Sequence, residues 1–379
     1  MSFPDAAASP PAPADEPPFA GAGGTADAAG PRRVGGLSEA ELLAAFLPRL
    51  PRTAHDVGGG DRTHDGVVGN GDDAAVLRIG DPRVVATVDT LVEDLDYRAV
   101  WPNGRVTLGH DVGFKGVAQN LSDLNAMAAH PVGLLVSLAM PPQTPVDWVL
   151  SLADGIADAV RTLGAEGCSV VGGDLSGARE VVLTITALGR LDPAGPVLRS
   201  GARPGDQVAV AGRVGEAAAG LALLERATGD GGSGEASGTD DVETRALVDE
   251  FVTAQLRPRP PLGAGARAAG AGAHALMDLS DGLLRDAGRL ARASGVRIDL
   301  DTGALAGFAG RLAPAAALLG ADPLQWCLAG GEDFGLLATF APGSLPAGFT
   351  AIGSVADGAP DLLVDGRPSP TTGWDHFAA

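Results

Sequence analysis

Long apolar runs are missing from this chain. The longest, Val132 to Met140, falls far short of the ~18 residues a membrane-spanning helix needs, so no span is expected. Cysteine is almost absent. Cys168 and Cys327 are too few for a disulfide framework and are expected as buried free thiols in a reducing cytoplasm. Positive charge is scarce as well: 27 Lys and Arg stand against 47 Asp and Glu, a net charge of −20. A nucleic-acid partner needs basic surface to displace counterions and is excluded on that ground. The opening Met1-Ser2-Phe3-Pro4-Asp5 has neither a positive n-region nor an apolar h-region, so no secretory signal is expected. No G-x-x-x-x-G-K-[ST] loop, G-x-S-x-G elbow or H-E-x-x-H pair occurs. The six histidines (55, 64, 110, 130, 274 and 376) show no ligand spacing, which sets zinc aside. No short-period repeat is present.

What is there is a chain of 379 residues, 45% apolar, long enough for two domains with cores of their own. Residues 1–36 are mostly Ala, Pro, Gly and Asp and cannot bury enough surface to offset their ordering entropy, so a disordered tail is expected. Order begins at Ser38, which with Glu41 reads as a capping box ahead of Leu42, Leu43, Phe46 and Leu47, closed by Pro48 and Pro51. Residues 53–70 read as a Gly- and Asp-rich loop where a substrate lid could sit. Strands are expected near 74–79 and 83–89. A helix over Asp111–His130 follows, with Val117, Leu121, Leu124 and Ala128 on its core face. Then come a strand at 132–139, a helix at 145–163 ending at Gly164, and strands at 169–173 and 181–188. This makes a first α/β domain over 37–195. The second, 196–379, carries a strand at 207–211, a helix at 217–227, a flexible tract at 228–241 and a strand ending at Asp278. Helices at 281–294 and 311–319 and strands at 297–300, 334–340 and 350–354 complete it.

Carboxylates carry the chemistry. Gly69-Asn70-Gly71 is a turn, followed by Asp72-Asp73 and an apolar run. Alone, that is also the pattern of a solvated acidic turn. The design recurs, however: 84–88 ends in Asp89, 169–173 in Asp174 and 275–277 in Asp278, with Ser280 and Asp281 just beyond. Three such strands would present carboxylates along one sheet edge. Converging aspartates need neutralising, and hard oxygen donors suit Mg²⁺ shared with substrate phosphates. Ser280 is expected to N-cap the helix beginning at Asp281, a role compatible with phosphate binding. Lys115 is read as a surface or structural lysine.

Together these motifs resemble those of the thiamine-monophosphate kinase family. They are Gly71-Asp72-Asp73, Val88-Asp89-Thr90-Leu91-Val92-Glu93, Asn120-Leu121-Ser122-Asp123-Leu124, Gly172-Gly173-Asp174 and Arg199-Ser200-Gly201. In the second half they are Asp278-Leu279-Ser280-Asp281-Gly282, Gly330-Gly331-Glu332-Asp333 and Gly373-Trp374-Asp375-His376-Phe377. They run in order from about residue 37 to the end. The resemblance implies a two-domain α/β (α+β) fold like that of aminoimidazole ribonucleotide synthetase, with N-terminal sheets pairing across a homodimer in the cytoplasm. It implies Mg²⁺-assisted in-line transfer of phosphate from ATP to thiamine phosphate. Asp73, Thr87, Asp89, Asp123, Asp174, Asp278 and Asp281 would hold several Mg²⁺ ions. Gly173, Asp174, Arg199 and Ser280 would contact ATP, and Asp96, Glu332 and Trp374 the acceptor. Val88 stands where the family usually has Thr, and Asp96 where it usually has His. An acceptor that is itself an ionised phosphate needs no general base, so the lack of a catalytic His fits phosphoryl transfer by positioning and charge stabilisation. The rivals are another ATP-dependent enzyme of the superfamily and a non-catalytic nucleotide-binding regulator. The Gly-Gly-Glu-Asp motif and the carboxy-terminal tail oppose the first, and the full aspartate set opposes the second.

Overall fold

The structure, a computed structural model, describes residues 31–51, 83–227, 242–370 and 373. The expected strand at 74–79, the loop 53–70, residues 1–30 of the expected tail and the tract 228–241 lie outside these residues, as do Asp72, Asp73 and Trp374. Residues 31–36, expected as part of the disordered tail, are instead held against residues 142–144, with Val34 and Gly35 N–H donating to the Thr144 and Pro142 carbonyls at 2.9 and 2.7 Å.

The first half begins with α1 (Glu39–Phe46). The Ser38–Glu41 capping box is present, with Ser38 N–H donating to Glu41 Oε2 at 2.8 Å. Next come β1 (Val84–Val92), α2 (Gly109–Ala126), β2 (His130–Met140), α3 (Val146–Thr162), β3 (Ser169–Gly177) and β4 (Val182–Arg190). Among the described residues these strands form a sheet in the order β1-β4-β2-β3, with α2 packed on one face and α3 against α2. On α3 the residues at i, i+3 and i+4 (Val149, Leu152, Ala153, Ile156, Ala159 and Val160) are all buried. Each large one contributes about 1.5–3 kcal/mol by leaving water. α2 and α3 cross backbone to backbone: a Cβ at Gly113 would fall 2.2 Å from the Leu152 carbonyl oxygen. α2 stops earlier than its sequence suggests. It ends at Ala126, and Ala128, still buried, turns at φ +54 to lead into β2.

The second half runs β5 (Gln207–Ala211), α4 (Glu216–Glu225), α5 (Val242–Leu256), α6 (Ala264–Gly270), β6 (Ala275–Leu279) and α7 (Leu283–Ser294). It continues through β7 (Arg297–Leu300), α8 (Ala306–Leu319), α9 (Pro323–Ala329), β8 (Gly335–Phe340), β9 (Phe349–Ala356), β10 (Asp361–Val364) and β11 (Arg367–Pro368). Its sheet has the order β11-β10-β7-β9-β5-β8-β6. The mixed α/β expectation holds. The short elements α9, β10 and β11 were not expected, since two to seven residues carry too little periodicity to read.

α2 is the element common to both halves. Besides β1, β4 and α3 it meets β6, β8, α5 and α6. Arg257, just past α5, pairs with Asp111 at 3.2 Å, and Gly265 N–H donates to Asn125 Oδ1 at 2.9 Å. At that junction a Cβ on Gly265 would sit 1.9 Å from the Asn125 carbonyl oxygen, so the approach requires glycine.

Candidate functional site

Strand alternation places the first ligand candidates. Thr87, Asp89 and Leu91 share the β1 face that looks at α2, where Leu91 is buried, while Val84 and Val88 are exposed on the other. Thr87 Oγ1 donates to Asp123 Oδ2 from β1 across to α2. Val88, the replacement for the family's usual Thr, is 57% exposed on the far face and does not look toward Asp123.

β6 brings the second half to the same place. Asp278, buried near its end, lies with Oδ2 3.4 Å from Ser122 Oγ. Burial pushes the Asp278 carboxyl well above the usual carboxylate range, and the charges of Asp123, Asp286, Asp89 and Asp281 push it further. That list defines the site: carboxylates from β1, α2, the end of β6 and α7 share one partly desolvated region. Asp123 is itself raised by burial, against the Thr87 hydrogen bond and the Arg199 charge, which hold it down. Arg199 therefore faces the cluster. Its loop is pinned by Ser294 at the end of α7, whose hydroxyl donates to the Arg199 carbonyl at 3.1 Å and accepts from Gly201 and Ala202.

Ser280 is not the cap of α7. The helix starts at Leu283 with Gly282 as N-cap and no side-chain cap, and the Asp281 N–H donates to Asp286 Oδ2 at 3.0 Å. The turn Ser280–Gly282 is tied to the Glu332 loop, because the Ser280 carbonyl accepts from Glu332 N–H at 2.8 Å. Asp286, pushed up to about 6 chiefly by burial, and Asp281 share Arg289, whose Nη1 lies 2.9 Å and 2.6 Å from them.

Glu332 adopts φ +65. Its carboxylate meets Lys115 Nζ at 2.6 Å and accepts from Gln255 Nε2. Lys115 is no surface lysine; it is 3% exposed and also donates to the Asp96 carbonyl at 3.3 Å. The Asp96 side chain turns back on its own loop, accepting from Val92 N–H at 2.8 Å. Asp333, next to Glu332, works structurally: it accepts from Gly215 and Ala217 N–H at the start of α4, and burial pushes it up to about 7.

The structure thus brings together Thr87, Asp89, Asp123, Arg199, Asp278, Ser280, Asp281 and Glu332, with Asp96 at one side. It does not bring Gly173 and Asp174 there within one chain. They lie on β3, one sheet edge, while Asp89 lies on β1, the other. In register, Asp174 faces Ser137, Ser137 faces Thr184 and Thr184 faces Thr90. Three strand spacings, roughly 14 Å, separate the edges. The expectation of one shared edge was therefore wrong, because strand order is set by pairing between distant segments. Asp89 and Asp174 are also mid-strand, not terminal.

Sequence reading missed Lys115, Gln255, Asp286 and Arg289. A signal existed for three of them: a lone lysine inside the apolar stretch 112–118, and the i, i+3 spacing of Asp286 and Arg289. Gly373 lies close against the site, since a Cβ there would fall 2.2 Å from the Asp281 carbonyl oxygen.

Among the described residues no three His, Cys, Asp or Glu side chains close into a ready-made cation cage. The donor set nevertheless fits Mg²⁺, which is held by one or two carboxylates plus substrate phosphates and keeps several waters. Among the same residues no helix is long and apolar enough to cross a membrane.

Two α/β units joined through α2, with aspartates at the seam, define a protein of the aminoimidazole ribonucleotide (AIR) synthase-related class. Residues 71–191 match the family model for the AIR synthase related protein N-terminal domain. Over 312 residues the chain is 42% identical to a thiamine-monophosphate kinase of Mycobacterium tuberculosis, covering 82% of this chain and 86% of that protein. It is 38% identical to the thiamine-monophosphate kinase of Corynebacterium glutamicum, covering 81% and 88%. The solved structure of AaThiL complexed with AMPPCP and TMP superposes with a TM-score of 0.65 at 28% identity, covering 81% of this chain and 91% of that one. The chain belongs to the thiamine-monophosphate kinase family.

Proposed function

We propose that this protein transfers the γ-phosphate of ATP to thiamine phosphate. A phosphate oxygen of the acceptor forms a bond to the γ-phosphorus, the bond from that phosphorus to the bridging oxygen breaks, and ADP and thiamine diphosphate leave. The observation that carries the reading is the convergence of Asp89, Asp123 and Asp278 from two sheets and the helix between them. Supporting it, relatives across most of the chain are thiamine-monophosphate kinases, and AaThiL was solved with AMPPCP and TMP together.

Each residue's role follows from its place. Asp89, Asp123, Asp278 and Asp281, with Thr87 holding Asp123, would carry Mg²⁺; bound there, the ions would neutralise carboxylate and phosphate charge together. Arg199 directs a positive charge at the same region and would steady the nucleotide phosphates, with Ser280 beside it. Glu332 would face the cationic acceptor, and Asp96 would shape the adjoining loop. Trp374, one residue beyond the point where the tail meets Asp281, would stack on the thiamine. No side chain need take a proton from an acceptor already ionised.

The reading includes a second copy of the chain. β1 and β3 are both open edges of the described sheet, and Val84, Val88 and Leu135 are exposed apolar residues on strands of that sheet. A partner's β3 laid along β1 would bring a second Asp174 beside Asp89, which one chain alone cannot do. A cytoplasmic location, consistent with two buried free thiols, and a domain boundary near residue 195 belong to the same proposal.

The deciding experiment incubates purified protein with ATP, Mg²⁺ and thiamine phosphate and scores thiamine diphosphate. Formation of ADP without thiamine diphosphate would overturn the reading.

A further inference from the structure

We infer that Lys115 is a positioning residue for the acceptor: its buried ammonium, reaching from α2, holds the Glu332 carboxylate and the Asp96 carbonyl in one fixed arrangement. The inference rests on the reading of Glu332 as an acceptor contact and deepens it.

A lysine is rarely as buried as Lys115 unless its charge is paired. Lys115 lines a small cavity at the seam, together with Leu91, Tyr97, Trp101 and Val112 of the first half and Gln255 and Leu256 of α5. Its ammonium emerges at the seam, 2.6 Å from Glu332 Oε1 and 3.3 Å from the Asp96 carbonyl oxygen. The partner is unusual. Glu332 sits at φ +65, a strained conformation for a residue with a Cβ, which persists only where the surroundings over-determine it.

They do so here from three elements. Ser280 takes the Glu332 N–H, Lys115 on α2 meets one carboxylate oxygen and Gln255 on α5 donates to the other. Yet the Glu332 side chain remains 31% exposed, against 4% for Lys115. The carboxylate is thus gripped from behind and open in front, the arrangement of a preorganised contact for a cationic group. Because Lys115 belongs to the first half and Glu332 to the second, this contact exists only when the halves are seated on each other. Both polar partners of Lys115 are assigned to the acceptor, so its loss should fall on acceptor binding and not on ATP.

The test is a double-mutant cycle in the full-length protein with Lys115→Met, Glu332→Gln and the pair, measuring KM for thiamine phosphate, KM for ATP and Tm. Lys115→Met should raise the acceptor KM at least tenfold and leave the ATP KM within twofold. The double variant should be no worse for the acceptor than Glu332→Gln alone, because Lys115 acts through Glu332. An acceptor KM within twofold of wild type, additive effects, or equal rises in both KM values with a lowered Tm would overturn the inference. Should Lys115→Met not fold, Lys115→Arg retains the charge; it should raise the acceptor KM selectively, and equal changes for both substrates would overturn it. Wild-type protein that makes no thiamine diphosphate would instead overturn the functional reading, so the two failures are distinguishable.

Discussion

Thr87 on β1 donates its hydroxyl to the Asp123 carboxylate on α2, and Asp123 is one of the charges that lift Asp278 on β6. One hydrogen bond thus fixes the orientation of a carboxylate on which both halves of the molecule depend. The bond also lowers the cost of keeping Asp123 charged in a partly buried place, which burial alone would raise.

Asp89→Asn and Asp123→Asn should each keep the fold and lose turnover by roughly 10²-fold, the scale of removing one preorganised electrostatic group. Circular dichroism and turnover at saturating Mg²⁺ check this. Near-normal turnover in both variants removes them from the site.

Asp278 gives a stability prediction. Its carboxyl is raised when folded, so the native state holds a proton that the unfolded chain gives up, and stability falls as pH climbs above the ordinary carboxylate range. At pH 7 with EDTA, Asp278→Asn should melt no lower than wild type, while Mg²⁺ with ATP should raise the wild-type Tm more than the variant's. A variant several degrees less stable in EDTA would contradict the account.

Asp333 is raised to about 7 by burial. Its folded value lies above its unfolded one, so stability contributed at low pH is lost between about pH 4 and 7 and is level beyond, by up to ~1.4 kcal/mol per pH unit. Urea unfolding at pH 5, 6, 7 and 8 should show the advantage of wild type over Asp333→Asn shrinking up to pH 7 and then holding constant. Parallel curves would show that Asp333 titrates alike in both states.

Gly265→Ala should cost about 1–3 kcal/mol, because the new methyl meets the backbone of Asn125, which cannot move aside as a side chain would. Gly310→Ala, in α8 with open space around it, should instead stabilise by about 0.5–1 kcal/mol. Thermal unfolding of both separates a steric requirement from a general preference for alanine in helices.

Much of this molecule was legible from local pattern. Ser38 with Glu41, the apolar spacing of α3 and the runs that became β5, β7 and β8 depend on neighbours a few residues away, and the structure has them where they were expected. Motif order likewise identified Asp89, Asp123, Asp278 and Asp281 as a set before anything showed that they meet. What local pattern could not contain was the pairing of distant segments. Strand order put Asp174 on the edge opposite Asp89. The Asp286 carboxylate, not Ser280, took the Asp281 N–H. Burial of Lys115 was hidden for the same reason. Whether a lysine in an apolar helix snorkels to water or is covered depends on what packs over it, and here α5 and the Glu332 loop, more than a hundred residues away, supply the cover and the countercharge.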